Sequence, residues 1–227
     1  MKVIFFTIIL LITVSTIFPQ TVMTIKKDNG TYEDILITNA IEITFYIYSA
    51  CAGTPTVVYD NKTYNTVQIG DQCWLKENLD IGTRINGSEN QTDNGTIEKY
   101  CYNDSDANCI TYGGLYLWAE AVQYKNGATN TSSPNPPFTG NVQGICPTGW
   151  HLPTNDEFTV LLNTLGFSVL LAGRFDSFGF SNLGGDGYFW SSSEYNAMEA
   201  DIMYMNGPFS WSYLGKNQGI SVRCLKD

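Results

Sequence analysis

Apolar positions in this chain recur mostly at every second residue, and only two stretches hold a helical period. Behind Lys2 the run from Val3 to Phe18 is apolar or hydroxylic throughout and carries no charge. Ile35 and Ile37, flanking Leu36, and then Ile41, Ile43 and Phe45, spaced by the polar Glu42 and Thr44, predict two short half-buried strands. Ahead of them Lys26 to Gly30 is a turn signal, with Asn29-Gly30 suited to a tight hairpin. From Cys51 onward, strands are expected at Val57 to Tyr59, Tyr64 to Ile69 and Cys73 to Leu75, the first turn falling at Asp60-Asn61-Lys62. Later strands are expected at Tyr188 to Ser192, Ile202 to Tyr204 and Ile220 to Cys224. Leu115, Trp118 and Val122 predict a helix over Gly114 to Val122. A second helix is predicted over Asp156 to Leu165, with Thr154 as N-cap, Glu157 completing a capping box and Gly166 as the stop. Between the helices, Asn126 to Pro137 reads as a polar surface excursion.

Composition adds a compartment to this α+β pattern. Of 227 residues, 43% are hydrophobic, enough for a core, while only 15% are charged, against about 25% in average proteins. The formal charge is −10, with 12 Lys and Arg outnumbered by 22 Asp and Glu, and since neutralising phosphates needs cations, neither nucleic acid nor an anionic membrane is expected as partner. Residues 1–20, extending to 24 at most, read as a secretory signal peptide, and the apolar run is short for a span of ~20 residues. No Ala-x-Ala pattern marks a cleavage site, which leaves an uncleaved anchor as the alternative. After processing, no membrane span is expected. Residues 25–50 then form a short hairpin-like unit and residues 51–227 the main domain. Oligomeric state has no signal in the sequence.

Export gives meaning to six cysteines, which allow fifteen pairings. A sequential arrangement is expected: Cys51 with Cys73, Cys101 with Cys109, and Cys146 with Cys224. The middle pair is supported most directly, because Asn103 to Asn108 is a turn-rich insert. A zinc site is disfavoured by a single His and the lack of C-x-x-C spacing.

Three kinds of chemistry compete for the remaining residues. His151 is the one imidazole available to a catalytic triad, and its place between Trp150 and Leu152 in a turn favours a structural hydrogen bond. Asp104, Asp106 and Asn108 have the alternating oxygen spacing that opens calcium loops, which makes calcium the one candidate cofactor. The expected glycine and distal Glu are missing, and Asx turns explain the same letters. Residues 188–213 mix Tyr, Phe and Trp with Ser, Asn and Gly, a palette suited to recognition. Candidate ligand contacts there are Trp190, Ser192, Glu194, Tyr204, Trp211 and Tyr213, with core packing as the competing role for Trp190.

Six ordered blocks carry a resemblance. They are Val57 to Tyr64 with Val67 to Leu79, Tyr100 to Cys109, Tyr112 to Trp118, Gly144 to Pro153, Phe189 to Glu194 and Ser221 to Lys226. Together they resemble the Fibrobacter succinogenes major paralogous domain family of exported bacterial proteins. The resemblance implies a variant of the C-type-lectin-like fold, related to formylglycine-generating-enzyme domains, with two helices flanking small twisted antiparallel sheets. It also implies that the late aromatic stretch forms a binding face. The calcium-dependent sugar motifs of true C-type lectins are absent. The expectation is a secreted or surface-located binding protein, not an enzyme, that recognises an extracellular glycan or protein through aromatic and polar C-terminal loops. An enzyme of the formylglycine-generating type and a structural envelope component remain the alternatives.

Overall fold

The computed structural model describes residues 13–17, 20–26, 32–37, 51–163 and 169–227. The chain divides into two compact units, Met1–Ile47 and Tyr48–Asp227. In the first, β1 (Thr13–Ile17), β2 (Gln20–Lys26) and β3 (Tyr32–Ile37) form an antiparallel sheet in that order. Thr13, Val14, Thr16, Ile17, Thr21 and Val22 are β-branched, which suits a pleated surface. This sheet takes in part of the segment read as a leader. The strand expected at Ile35 and Ile37 is β3, whereas that expected at residues 41–45 lies outside the described residues.

The second unit begins with β4 (Thr56–Tyr59), β5 (Lys62–Ile69) and β6 (Gln72–Leu75), close to expectation. Asp60 and Asn61 have φ of 48° and 57°, the left-handed pair that a two-residue turn between Tyr59 and Lys62 requires. A parallel pair follows, β7 (Thr83–Ile85) with β8 (Glu98–Tyr100). Next come α1 (Asp106–Tyr112), α2 (Trp118–Ala121), β9 (Trp150–His151) and α3 (Asn155–Phe158), the last continuing as a 3₁₀ turn over Thr159–Asn163. The chain then forms a hairpin of β10 (Arg174–Asp176) and β11 (Gly179–Ser181). β12 (Gly187–Glu194), β13 (Glu199–Met205) and β14 (Phe209–Gly215) make an antiparallel three-stranded sheet. Finally β15 (Leu225–Lys226) inserts between β6 and β9, closing a five-stranded sheet of order β4-β5-β6-β15-β9.

Three sequence expectations need correction. The helix over Gly114–Val122 shrinks to α2, because Leu115 and Tyr116 are extended and bridge Tyr100 and Ile220. The turn-rich insert is a turn at the left-handed Asn103 and Asp104, but from Asp106 it runs into α1. Ile220 and Ser221 make single bridges, and the regular strand is Leu225–Lys226. The second predicted helix starts as expected: Thr154 Oγ1 accepts from Glu157 N–H while a Glu157 carboxylate oxygen accepts from Thr154 N–H. Its stop at Gly166 lies outside the described residues. The architecture is therefore sheet-rich with few and short helices.

All three expected disulfides are present, Cys51–Cys73, Cys101–Cys109 and Cys146–Cys224, and no cysteine is free. The β12–β13–β14 sheet is covered on both faces. Tyr188, Trp190, Ala200 and Ile202 join a large cluster with Trp118, Tyr116 and Cys146–Cys224. Phe189 and Met203 face the other way and pack with Trp74, Phe158 and Leu161. Gly144 leads into the clasp at φ 51°, where a Cβ would fall 2.1 Å from the Ala121 carbonyl oxygen. Only glycine fits there. Asn78 anchors one buried polar group: it accepts from Arg223 Nη2 at 2.5 Å and donates to Tyr112 O at 2.8 Å and Ser221 Oγ at 3.2 Å.

Candidate functional site

The strand pairing of β12 with β13 slips between Trp190 and Glu194, so Ser191, Ser192 and Ser193 form an irregular segment at the strand end. Such bulges re-aim side chains. This one is clamped: Ser192 N–H donates to Pro153 O at 2.8 Å, Trp118 Nε1 donates to Ser191 O at 3.0 Å, and Asn155 N–H donates to Ser193 Oγ at 3.2 Å. Ser192, Ser193 and Glu194 thereby line a cleft of about 580 Å³ together with Phe138, Thr154 and Glu157. Behind Glu194 sits Lys216, whose side chain is fully buried. Its ammonium pairs with the Glu194 carboxylate, donates to Ala197 O at 3.0 Å and lies 4.2 Å from the Trp118 ring centroid.

Glu194 is followed by an exposed aromatic edge. Tyr195 and Tyr213 stack at 4.2 Å with 4° between their planes, and they remain 57% and 49% exposed. The turn that carries Tyr195 is rigidly bonded. Tyr195 and Asn196 N–H both donate to Glu199 O, and Asn196 Oδ1 accepts from the N–H groups of Met198 and Glu199. Lys216 N–H fixes Met198 O at 2.9 Å. Tyr213 sits on β14, so the late aromatic face is an edge strand and the turn beside it, where a loop was expected.

The six candidate contacts fall into three places. Ser192 and Glu194 meet in the cleft. Tyr213 lies on the open edge, with Trp211 half-buried two residues before it and 6.1 Å from Phe158. Trp190 and Tyr204 belong to the packing. Trp190 has no accessible surface and donates its indole N–H to Tyr116 O at 2.7 Å, so it leaves the candidate set as a core residue. Tyr204 donates its hydroxyl to Asp186 and packs on Tyr188 at 5.0 Å. Asp186 also accepts from Asn182, Tyr188 and Asn206, a satisfied buried carboxylate. Phe138 and Met198 were not singled out from sequence, and Glu157 was read only as a helix cap.

Each residue of the calcium triad is bonded to a protein group. Asp104 Oδ1 accepts from Gly87 N–H, Asp106 pairs with Arg84 at 2.8 Å, and the Asn108 amide donates to Tyr102 O. Among the described residues no group of three or more His, Cys, Asp or Glu is placed to hold a metal.

His151 is 2% exposed, and both ring nitrogens face carboxylates: Nδ1 lies 2.6 Å from Asp227 and Nε2 3.0 Å from Glu157. Asn141 Nδ2 is 3.1 Å from Nδ1. Burial alone would pull the His151 pKa down, but hydrogen bonds and attraction from Glu157 and then Asp227 hold it above its ordinary value. Burial pushes Glu157 up, yet His151 and the Thr154 cap leave it below the ordinary carboxylate value. The raised His151 pKa stabilises fully below the unfolded value of 6.5 and is lost as pH rises through the folded value. The depressed Glu157 pKa stabilises above 4.5 and is lost as pH falls through the folded value. Urea unfolding is therefore expected to show greater stability at about pH 5.5 than at about pH 8.5, and His151→Gln to remove that decline. Identical pH profiles for the two proteins would mean that His151 is neutral in the fold.

Residues 67–168 match the family model of the Fibrobacter succinogenes major domain. No curated protein and no solved structure matches the chain. The matched stretch holds β6 to α3 and the capping box, while Ser192, Glu194 and the Tyr195–Tyr213 edge lie beyond it.

Proposed function

The chain belongs to the Fibrobacter succinogenes major domain family through residues 67–168, and from that premise we propose that it is an exported bacterial surface or extracellular binding protein. Its segment 1–20 acts as the export signal, and its second unit is a variant of the C-type-lectin-like fold. The short helices, the small antiparallel sheets and the Cys146–Cys224 clasp support that architecture. Three disulfides with no free cysteine support an oxidising compartment.

The observation that carries the binding reading is the Tyr195–Tyr213 stack. Two large rings, one on a hydrogen-bonded turn and one on β14, are parallel and open to solvent, beside a cleft that offers Ser192, Ser193 and Glu194. A preordered aromatic pair binds without a large ordering cost, and its outer face suits a pyranose ring or an apolar protein side chain. The ligand is an extracellular polysaccharide or protein, recognised without covalent chemistry. His151 supports the same view, because both its nitrogens are engaged by carboxylates.

The test is binding of the purified chain to a panel of cell-wall polysaccharides and to whole bacterial cells. Joint replacement Tyr195→Ala with Tyr213→Ala is expected to weaken retention about tenfold or more, with an unchanged melting temperature. Full retention by the double variant would remove this edge as the recognition surface.

A further inference from the structure

A second cleft, sharing no residue with the first, also measures about 580 Å³. It lies between the segment at Gly87–Gln91, the β10–β11 hairpin, Asn130 and Asn217. Phe175 forms part of its wall, packed at 4.4 Å on Tyr100 and 4.8 Å on Phe180. The chain passes this ring as Gly87, where a Cβ would come within 2.9 Å of Phe175. At the hairpin tip Phe178 is 98% exposed. Asp176 Oδ1 accepts from Phe178 N–H at 2.8 Å, so an Asx turn fixes the backbone that presents this ring to solvent.

The polar side of the cleft is a set of amides. Gln91 is locked, donating to Leu115 O and accepting from Leu117 N–H. Asn130 Oδ1 accepts from Ala119 N–H at 3.0 Å, which orients the side chain and leaves its NH₂ without a partner among the described residues. The side chains of Asn90 and Asn217 make no hydrogen bond to a described residue. No Lys or Arg lines the cleft, and its one carboxylate, Asp176, is already engaged by Phe178 N–H and Arg174.

These observations select a ligand chemistry. An anion would meet a carboxylate and no cation, and a cation would find its only counter-charge occupied. An apolar ligand would strand the amides. Asn90 and Asn217 each offer a donor and an acceptor side by side, which matches vicinal hydroxyls, and Asn130 adds a donor, since its oxygen is held by Ala119 N–H. A pocket wall with few oriented polar groups beside aromatic rings is the usual form of a small-molecule site. We propose that this cleft binds a neutral oligosaccharide, with Asn90, Asn130 and Asn217 bonding its hydroxyls and Phe178 covering a sugar face.

Isothermal titration of the full chain with cellohexaose, xylohexaose, mannohexaose, laminarihexaose and the anionic hexagalacturonate tests this. At least one neutral hexaose is expected to bind. Phe178→Ala and Asn217→Ala are each expected to weaken it about tenfold or more without changing the melting temperature, since both side chains are exposed. The proposal is overturned if no neutral hexaose binds, if hexagalacturonate binds more tightly, or if binding survives both substitutions. Loss on Tyr195→Ala with Tyr213→Ala, but not on Phe178→Ala, would place the sugar on the aromatic edge and overturn the cleft assignment alone.

Discussion

Replacing Cys146 and Cys224 by Ala is expected to cost the domain more stability than removing either other disulfide. The three bridges close separations of 78, 22 and 8 residues. Loop entropy in the unfolded chain then assigns them roughly 4.5, 3.4 and 2.5 kcal/mol in that order. Burial reinforces the first place in that order, because Cys146 and Cys224 have no accessible surface and sit within the largest core cluster, whereas Cys51 is only partly buried. The clasp also ties the turn before β9 to the segment leading into β15, the strand that joins β6 to β9 in the five-stranded sheet. Urea unfolding of the three double variants measures the order directly. Equal losses, or the largest loss at Cys101–Cys109, would contradict it.

Glu194→Ala is expected to cost roughly 3–5 kcal/mol, because it strands the Lys216 ammonium in the core. Lys216 keeps only Ala197 O and the Trp118 face in that variant, and neither neutralises it. Adding Lys216→Met removes the orphaned charge and is expected to restore most of the loss, as buried pairs often tolerate apolar replacement. A double-mutant cycle on unfolding free energy isolates the coupling. A Glu194→Ala loss below about 1 kcal/mol would class the pair with ordinary surface bridges. The same pair matters for recognition. Lys216 holds the turn that carries Tyr195, so breaking it loosens the stack with Tyr213.

Much of this fold could be read from local chemistry. The capping box at Thr154 and Glu157 depends on residues three apart, and the Asp60-Asn61 turn on two adjacent ones. Cys101 with Cys109 was legible because they stand eight residues apart across the turn-forming Asn103 and Asp104, and pairing the rest in sequential order then gave the other two. The helix at Gly114–Val122 was overread because every residue from Leu115 to Val122 is buried. A segment buried all round has no polar face, so spacing cannot separate helix from extended chain. β14 was read as loop because Gly, Pro and Ser surround its alternating Phe209, Trp211 and Tyr213.

The site was less legible than the fold. Ser192 and Glu194 stood out as polar letters after an apolar strand, yet their cleft partner Phe138 comes from far upstream. Trp190 and Tyr213 are both aromatic in Ser-rich strands, and only the register decides that one is core and the other surface. The Lys216–Glu194 pair leaves no local trace, since 22 residues and two strand turns separate its members.

The account rests on a cross-linked domain that works outside the reducing cytosol and presents a fixed recognition edge. Non-reducing peptide mapping of the chain recovered from its native cells tests that most directly. The account predicts Cys51–Cys73, Cys101–Cys109 and Cys146–Cys224 as intact linkages in material beyond the inner membrane. Folded chain with six free thiols, held inside the cell, would contradict it.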